Sequence, residues 1–436
     1  MKWTNWSKSF SSYPDSIAYP SSEEALVSLV EKAKETHSKI KVIGDGHSCA
    51  KIAETHSGVL VSLKNYNKIL SFDATSLTLK VQAGISLREI SRFLDQKNAA
   101  MSNLGTIDSQ TISGAISTGT HGSGLLFGAV DQQVESIELL KANGEIIEVS
   151  KTKNTVLFKT IRVGLGAFGI ISSVTIKAVP KFNLEVKTSP MSFKTMLKSM
   201  DLVHKADYMR FWWVPHTENV QYWEAQKTVK EVSTPTKFKD WFYDMLLGNV
   251  FHEFGLWITS FFPQKIKTLN RLMSKWLLES KHVRVGTSHS MFTIPIKVKQ
   301  SVMEYGIPME HTAAVMKEIK SFIEGNDYNV HMPIEIRFAP KNDALLSMAH
   351  ERETCYIGII SYKPYGKNIP HDAYYEGVHN IFAKYEGRPH WAKKHFYDAS
   401  GLSATYPAWK HFAQSKQELD PDGMFENDYL KNLFPR

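Results

Sequence analysis

Cysteine is nearly absent from this 436-residue sequence, which contains only Cys49 and Cys355. Two cysteines cannot build a disulfide framework, and neither has the spacing of a metal-binding motif. We therefore expect a reducing compartment, the cytoplasm, and no metal ion. Residues 1–16 contain no apolar run of the kind that a signal peptide requires, so export by that route is not expected.

Long hydrophobic runs are also missing. The most apolar stretch, residues 241–262, is interrupted by Asp244, His252 and Glu253 before about 18 apolar residues accumulate, so it does not predict a membrane-spanning helix. In residues 265–278, apolar and basic residues recur at helical spacing. The segment 241–278 suits either a pair of amphipathic helices that cover the core or a peripheral contact with a membrane surface.

Charge of one sign is not concentrated anywhere. The sequence has 52 Lys and Arg against 44 Asp and Glu, a net charge of +8, without a block of five or six like charges. A nucleic-acid-binding surface needs clustered positive charge, so nucleic acid is not an expected partner. With 42% hydrophobic residues the chain can bury a large core and form two or three domains. A globular enzyme is the default interpretation.

The sequence pattern changes near residue 178. Before this point, a capped helix at 21–35 alternates with short strands such as IKVIG at 40–44. After it, aromatic residues and long helical stretches increase, and strand patterns return at 334–362. We therefore predict an α+β protein with a first domain of residues 1–178, a second domain of residues 179–415, and a segment 416–436 that returns to the first domain.

Three glycine-rich segments are candidates for cofactor contacts. Gly164, Gly166 and Gly169 match the dinucleotide-binding fingerprint in letters, but a strand pattern follows them instead of the required helix. In residues 43–48 and 114–124, glycines and small hydroxyl residues let the backbone approach a ligand and hydrogen-bond its phosphates. Each loop alone is more often a structural turn. Together they favour a large phosphate-bearing cofactor.

These same loops carry a family resemblance. GDGHS at 44–48 and SNLGTIDSQTISGAISTGTHGSG at 102–124 resemble the FAD domain of vanillyl-alcohol-oxidase-type flavoproteins. EIR at 335–337, KPYGK at 363–367, RPHWAK at 388–393 and LDPDGMF at 419–425 are similar to the aldonolactone oxidoreductase group, above all to its L-gulono-1,4-lactone oxidases. The resemblance covers nearly the whole chain. It implies a PCMH-type FAD-binding domain and a substrate (cap) domain with an antiparallel sheet.

The resemblance implies that FAD is bound covalently. His47 matches the histidine that bonds the 8α-methyl carbon of the flavin through a ring nitrogen, and AMSNLG at 100–105 lacks the cysteine of a second attachment. Gly105 stands where oxidases of the group have glycine and a dehydrogenase has alanine, which favours oxygen as the electron acceptor. The other implied cofactor contacts are Gly44, Asp45, Gly46, Ser48, Thr106, Ser113, Gly114, Thr118, Gly119, Thr120, His121, Ser123 and Ile171.

The catalytic candidates lie in the second half of the chain. Glu335 and Arg337 are two residues apart on a predicted strand, so their side chains point to one face. In the family context, Arg337 would stabilise the negative charge that develops on the substrate oxygen, Glu335 would orient hydroxyls, and Lys393 would act as a positive group or base. By residue type alone, an ion pair and a solvated lysine are the simpler interpretation. Thr106, Ser361 and His390 are the expected substrate contacts.

The resemblance therefore implies oxidation of the C2 hydroxyl of an aldono-1,4-lactone, such as L-gulono-1,4-lactone, to an ascorbate-type product with release of hydrogen peroxide. Two alternatives stay open: an alditol (xylitol or sorbitol) oxidase, and a lactone dehydrogenase that uses another electron acceptor. Ile359 stands where alditol oxidases have a histidine, which favours the lactone. The expected partners are a small sugar-derived substrate and molecular oxygen.

Overall fold

The computed structural model describes residues 1–233, 252–278 and 281–435. The strands of the first half are β1 (Trp3–Thr4), β2 (Ser11–Ser12), β3 (Ser16–Ala18), β4 (Ile40–Ile43), β5 (Val59–Ser62), β6 (Ile69–Asp73), β7 (Thr78–Gln82), β8 (Ala99–Ala100), β9 (Val134–Leu140), β10 (Ile146–Ser150), β11 (Ile170–Lys177) and β12 (Val179–Pro180). Those of the second half are β13 (Asn183–Ser192), β14 (Tyr208–Trp213), β15 (Asn219–Thr228), β16 (His282–Thr287), β17 (Gln300–Pro308), β18 (Ile334–Ala339), β19 (Thr354–Tyr362) and β20 (Arg388–Pro389).

The described helices are α1 (Glu23–Glu35), α2 (Leu87–Gln96), α3 (Ile112–Ser117), α4 (Thr155–Ile161), α5 (Phe193–Lys198), α6 (His252–Thr259), α7 (Ile266–Leu278), α8 (Ser288–Phe292), α9 (Thr312–Gly325), α10 (Asp372–Lys384), α11 (Ala399–Thr405), α12 (Trp409–Leu419) and α13 (Asp428–Leu433). Several begin at side-chain caps that the sequence predicts. Ser22 caps α1 as expected, and Ser86 with Glu89 forms a capping box at α2.

The first domain combines a parallel and an antiparallel sheet. Strands β3, β5 and β4 form the parallel sheet, and a five-stranded antiparallel sheet has the order β10-β9-β11-β7-β6. Leu60 and Val61 of β5 and Leu79 and Val81 of β7 are fully buried. This alternation of short buried strands with capped helices is what the sequence pattern predicted.

The second domain is built on one eight-stranded antiparallel sheet of order β16-β13-β15-β14-β18-β19-β17-β20. Helices α5, α9 and α10 cover one face, where Ile319, Ile357 and Phe382 belong to one apolar cluster. The opposite face turns towards the first domain and carries buried charged side chains, among them Arg210 and Arg337. The expected two-domain α+β arrangement with an antiparallel second sheet is confirmed.

The domain boundaries differ from the predicted ones. Strand β12 still pairs with β8 of the first domain, so the second sheet begins only at Asn183. The predicted boundary at 415/416 falls inside α12, Trp409–Leu419. The chain has returned to the first domain before that helix, because Trp391, Tyr406 and Phe412 are buried in the same apolar cluster as Leu79.

The C-terminal segment packs against the first domain. The backbone N–H of Ile40 donates to the carbonyl of Met424 at 2.8 Å, and Nζ of Lys41 donates to the carbonyl of Phe425 at 3.2 Å. The side chain of Asn427 donates to the carbonyls of Lys51 and Glu54. These contacts support β4 and the loop that follows it.

None of the described helices is long and apolar enough to cross a membrane. In the segment 241–278, residues 241–251 lie outside the described residues. Helices α6 and α7 form in 252–278 at the predicted helical spacing, and they pack against each other.

Candidate active site

A cleft that is partly open to solvent lies in the first domain. Many predicted cofactor contacts line it: Gly44, Asp45, Gly46, His47, Ser48, Ser113, Gly114, Thr118 and Ile171. Gly166 and Gly169 of the apparent dinucleotide fingerprint also line it, but the strand β11 follows them instead of a helix. The sequence argument against a Rossmann site is therefore confirmed.

Two glycines allow the loop after β4 to pack closely against its neighbours. A Cβ on Gly44 would lie 2.1 Å from the hydroxyl oxygen of Thr111, which caps α3. Gly46 has φ +73°, and a Cβ there would lie 2.7 Å from the ring of Trp3. Any larger residue at either position would push the loop, and with it His47, out of place.

His47 has one engaged and one unpaired ring nitrogen. Its Nε2 lies 2.7 Å from a carboxylate oxygen of Asp45 and 2.7 Å from the hydroxyl of Ser109. Its Nδ1 is buried and has no hydrogen-bond partner. Because an ionised Asp45 can only accept, Nε2 carries the hydrogen in the neutral ring, and Nδ1 is the nitrogen with the free lone pair. The wall of the cleft thus holds an unpaired basic nitrogen.

Some predicted cofactor contacts use their side chains elsewhere. The hydroxyl of Ser123 donates to the carbonyl of Met209 in β14, and Nε2 of His121 lies 3.0 Å from Oε1 of Glu304 in β17. Neither residue lines the cleft. Gly119 has φ +73° and turns the chain at this point, so the side chains of His121 and Ser123 are directed at the second sheet.

Arg337 and Glu335 lie on the sheet face that meets the first domain. Arg337 donates one hydrogen bond to the hydroxyl of Thr106 and another to Glu335 at 2.8 Å. Its Nε is buried without a partner. Thr106 follows Gly105, where a Cβ would lie 3.0 Å from the methyl of Thr120. The structure thus brings the predicted residues Arg337, Glu335, Thr106 and Gly105 together at the domain junction.

Two further residues of this face hold Glu335. Strand register places Trp212 opposite Glu335 and Arg210 opposite Arg337. The indole of Trp212 donates to Glu335 at 2.7 Å, and Arg210 lies 3.8 Å from the same oxygen. Burial alone would raise the pKa of Glu335, but Arg337 and Arg210 outweigh it and lower that pKa. Burial, reinforced by Arg337, lowers the pKa of Arg210 to about 10.

A second charged cluster lies two strands away, around Glu304. Nε2 of His390 is 3.9 Å from Oε1 of Glu304, and the ring of His121 stacks on Tyr356 with centroids 3.6 Å apart. Lys393 is half-buried, its backbone N–H bonds the carbonyl of His390, and its charge acts on Glu304. The structure therefore places His390 and Lys393 near Glu304.

The His121, Glu304 and His390 ligand atoms lie within 4.8 Å of one another, a spacing that a metal ion could bridge. The hydrogen bonding of His390 opposes this interpretation. Its Nδ1 accepts the backbone N–H of Ala392 at 3.1 Å, so Nε2, the atom nearest Glu304, carries the hydrogen. Burial lowers the pKa of His390 to about 3, so the ring is neutral.

Ser361 does not join the site. In β19, Tyr356 and Gly358 pair with Arg337 and Glu335, so residues of even number share their face. Ser361 pairs with Ser301 on the helix-covered face, where the hydroxyl of Tyr375 bonds the Ser301 carbonyl. Ile359 lies on that face too and belongs to its apolar cluster. The sequence argument that used Ile359 to choose between substrates loses its basis, because that position does not face the site.

Three site residues were missed by sequence reasoning: Arg210, Trp212 and Glu304. Each carried a signal. Arg210 and Trp212 are two residues apart on a strand, the same spacing that made Glu335 and Arg337 candidates. Glu304 is a single carboxylate in the otherwise apolar run SVMEYGIP, all of whose residues are buried. A lone charge in a buried strand requires partners, and these are the two histidines.

Comparisons with known proteins agree with this arrangement. A family model described as FAD binding domain matches residues 14–150, and one described as D-arabinono-1,4-lactone oxidase matches residues 174–433. The chain is 36% identical to L-gulonolactone oxidase of Bos taurus, covering 100% of this chain and 98% of the relative. It is 30% identical to L-gulono-1,4-lactone dehydrogenase of Mycobacterium tuberculosis, covering 99% and 98%.

Among solved structures, cholesterol oxidase from B. sterolicum superimposes with a TM-score of 0.80 at 17% identity, covering 100% of this chain and 96% of the other. At that identity the match shows a shared fold, the FAD-binding and substrate-domain arrangement expected from the sequence. The sequence matches favour lactones over alditols. The chain belongs to the D-arabinono-1,4-lactone oxidase family, the FAD-dependent aldonolactone oxidoreductases of the vanillyl-alcohol-oxidase fold.

Proposed function

We propose that the chain oxidises the C2 hydroxyl of an aldono-1,4-lactone, transfers the electrons to oxygen and forms an ascorbate-type product and hydrogen peroxide. The observation that carries this proposal is the buried Arg337 at the domain junction, bonded to Thr106 and to Glu335. A fixed cation at this point stabilises negative charge on a substrate oxygen. The bound FAD supplies the two-electron acceptor.

Each residue of the junction has a distinct role. Arg337 polarises the hydroxyl that loses its proton, and its unpaired Nε remains available for a further hydrogen bond. Glu335 is ionised, accepts hydrogen bonds from Trp212 and Arg337 and lies 3.8 Å from Arg210, so it accepts further hydrogen bonds from neighbouring substrate hydroxyls in a fixed orientation. Lys393 adds positive charge on the opposite side and is the candidate group that receives the proton.

We further propose that His47 attaches FAD covalently through Nδ1. The support is the hydrogen-bond pattern of the ring: Asp45 holds Nε2–H, and Nδ1 is buried at the cleft without a partner. The cleft residues fit the group, since Gly44 and Gly46 let backbone approach it and Ser113 and Thr118 line the same cleft. A covalent bond there would raise the reduction potential of the flavin.

Gly105 supports oxygen as the acceptor. It lies at the junction beside Thr106, where a methyl group would lie 3.0 Å from the Thr120 methyl and 3.3 Å from the carbonyl of His121. A methyl group would therefore crowd this point next to the reacting centre, and glycine avoids that crowding. The alternative acceptor is a quinone or cytochrome, and the dehydrogenase name of the M. tuberculosis relative keeps it in consideration.

Steady-state turnover of the purified, flavin-loaded protein tests the proposal. Gulono-, galactono- and arabinono-1,4-lactone are compared with xylitol and sorbitol under air, and hydrogen peroxide is measured alongside. We expect faster turnover of a lactone than of either polyol, with one peroxide for each lactone oxidised. Polyol rates far above the lactone rates would contradict the substrate, and rapid dye reduction with negligible peroxide would contradict the acceptor.

For location we propose the cytoplasm, with a peripheral membrane contact through residues 241–278. The support is an aromatic surface on and after α6, where Phe261 and Phe262 are 55% and 54% exposed and Trp257 is 37% exposed. Lys367 lies 3.8 Å from the ring centroid of Phe261 and adds positive charge. Detergent-free fractionation of cells tests this: recovery only in the soluble fraction would contradict the membrane contact.

A further inference from the structure

Glu304 is a buried carboxylate on the same sheet face as Arg337 and Glu335. None of the roles proposed above uses it. In β17 it lies opposite Gly358 of β19, and Gly358 lies opposite Glu335 of β18. Directly paired residues of antiparallel strands point to the same face. The two carboxylates therefore flank a glycine on the face that also carries Arg337. Two strand spacings of about 4.8 Å each separate them.

One carboxylate oxygen of Glu304 is held and the other is open. Oε1 is fixed by Nε2 of His121 at 3.0 Å, with Nε2 of His390 at 3.9 Å. Oε2 lies 3.1 Å from the position that a Cβ on Gly358 would occupy. Within the described part of the chain, no side-chain or backbone donor hydrogen-bonds this oxygen. Glu304 thus presents a fixed, unused acceptor above the backbone of Gly358.

The surroundings keep this acceptor charged. Burial alone would raise the pKa of Glu304, but the hydrogen bond from His121 and the nearby charge of Lys393 oppose burial, and the pKa is lowered. An ionised carboxylate only accepts hydrogen bonds, and its bonds from hydroxyl donors are stronger than those between neutral groups. A polyhydroxylated ligand is therefore the chemistry that matches Oε2.

We propose that Glu304 is a substrate-binding residue that sets specificity, with Oε2 accepting a hydrogen bond from a hydroxyl on the side chain of the sugar lactone, remote from the carbon that is oxidised. This rests on the proposed function, in which Arg337 and Glu335 hold the reacting end. The separation of the two carboxylates suits a five- or six-carbon lactone with a hydrogen bond of about 2.8 Å at each end. Gly358 provides the space, because a side chain there would fill the gap.

Two aldono-1,4-lactones that differ only in the terminal side-chain hydroxyl, present in one and replaced by hydrogen in the other, test the proposal with holoenzyme. We expect the wild type to favour the hydroxylated lactone by roughly 30-fold in kcat/KM, the size of a hydrogen bond to a charged group. Glu304→Gln keeps the shape but not the charge, so the preference falls to roughly fivefold. The readout is the ratio of the two kcat/KM values, because a general loss of activity in the variant would lower both values alike and leave the ratio unchanged.

Gly358→Ala provides a second variant that leaves the hydrogen bond from His121 to Glu304 in place. Its methyl group would lie 3.1 Å from Oε2 and fill the gap, so the preference for the hydroxylated lactone is lost and the KM for that lactone rises. Glu426→Gln is the matched control. It also removes a buried carboxylate, one paired with Lys416 in the C-terminal segment, and the preference stays at the wild-type value.

Binding is measured separately from turnover, as the dissociation constants of both lactones for dithionite-reduced holoenzyme, which cannot oxidise them. Glu304→Gln is expected to weaken only the hydroxylated lactone. A wild type that does not distinguish the lactones, a full preference retained in Glu304→Gln, or equal weakening of both lactones would each overturn the role of Glu304. Failure of the flavin-loaded wild type to oxidise any lactone would instead overturn the proposed function.

Discussion

Arg337 of the second domain donates a hydrogen bond to the hydroxyl of Thr106 in the first domain, 231 residues away in sequence. This bond joins the sheet that carries Glu335 to the loop that carries Gly105. The orientation of Arg337 therefore depends on how the two domains pack.

Arg337→Lys should reduce kcat with lactones by roughly 100-fold or more, because a lysine ammonium cannot hold Thr106 and Glu335 together while polarising the substrate. The rate of flavin reduction in a stopped-flow instrument measures the effect directly. Thr106→Val serves as the comparison, since it removes only the hydroxyl that anchors Arg337. A rate of Arg337→Lys close to that of the wild type would argue against the proposed role.

Asp45→Asn should slow or prevent covalent attachment of FAD. An amide no longer acts as a purely accepting partner for Nε2–H, so Nδ1 of His47 is no longer kept as the unprotonated nitrogen. Flavin fluorescence of the denatured protein on a gel, divided by the total flavin bound before denaturation, gives the covalent fraction. Ser109→Ala removes the other contact of Nε2 and should have the smaller effect. An unchanged covalent fraction in Asp45→Asn would refute this explanation.

Gly105→Ala should lower the reactivity with oxygen while leaving lactone oxidation with an artificial dye nearly intact. The added methyl would lie 3.0 Å from the methyl of Thr120, a side chain that can give way, so the fold should tolerate it. The measurement is the rate of reoxidation of reduced enzyme by oxygen compared with that by a dye. An equal decrease in both rates would indicate a general disturbance of the site rather than a blocked oxygen path.

Lys41 should make the stability of the protein depend on pH. Burial lowers its pKa to about 7, whereas an unfolded chain has a lysine pKa near 10.4. Between these values the unfolded state binds more protons, so the Lys41 contribution to the free energy of unfolding rises with pH from about 7 to about 10. Lys41→Met removes that contribution.

Relative to the wild type, Lys41→Met therefore gains the most in free energy of unfolding below pH 7. This advantage of the variant declines as the pH rises. Urea unfolding from about pH 6 to pH 9.5 measures it. Lys39→Met is the control, because Lys39 bonds the neighbouring carbonyls of Asp422 and Gly423 from a less buried position. A difference that stays constant across this range would contradict the assignment.

The sequence predicted the cleft better than the substrate side. The glycines of residues 44–48 and the small residues of 113–118 line one cleft, because a loop that leaves a strand and a short capped helix are local structures. Glu335 and Arg337 share a face because alternation along a strand is also local. The same alternation explains why Ser361 was placed wrongly. Ser361 is one position away from the residues of β19 that face the site, and only the pairing of β19 with β18 decides which alternate residues those are.

By itself the sequence determined the fold family, the cofactor-binding loops and the paired Glu335 and Arg337, since these depend on neighbouring residues. Only the tertiary structure decided that Glu304 faces the site with His121, that Arg210 and Trp212 hold Glu335, and that the chain returns to the first domain by Trp391. The physical reason is that these contacts join residues far apart in sequence. His121 and Glu304 are 183 positions apart, and such a pair is fixed only when strands adopt their register and the two domains pack.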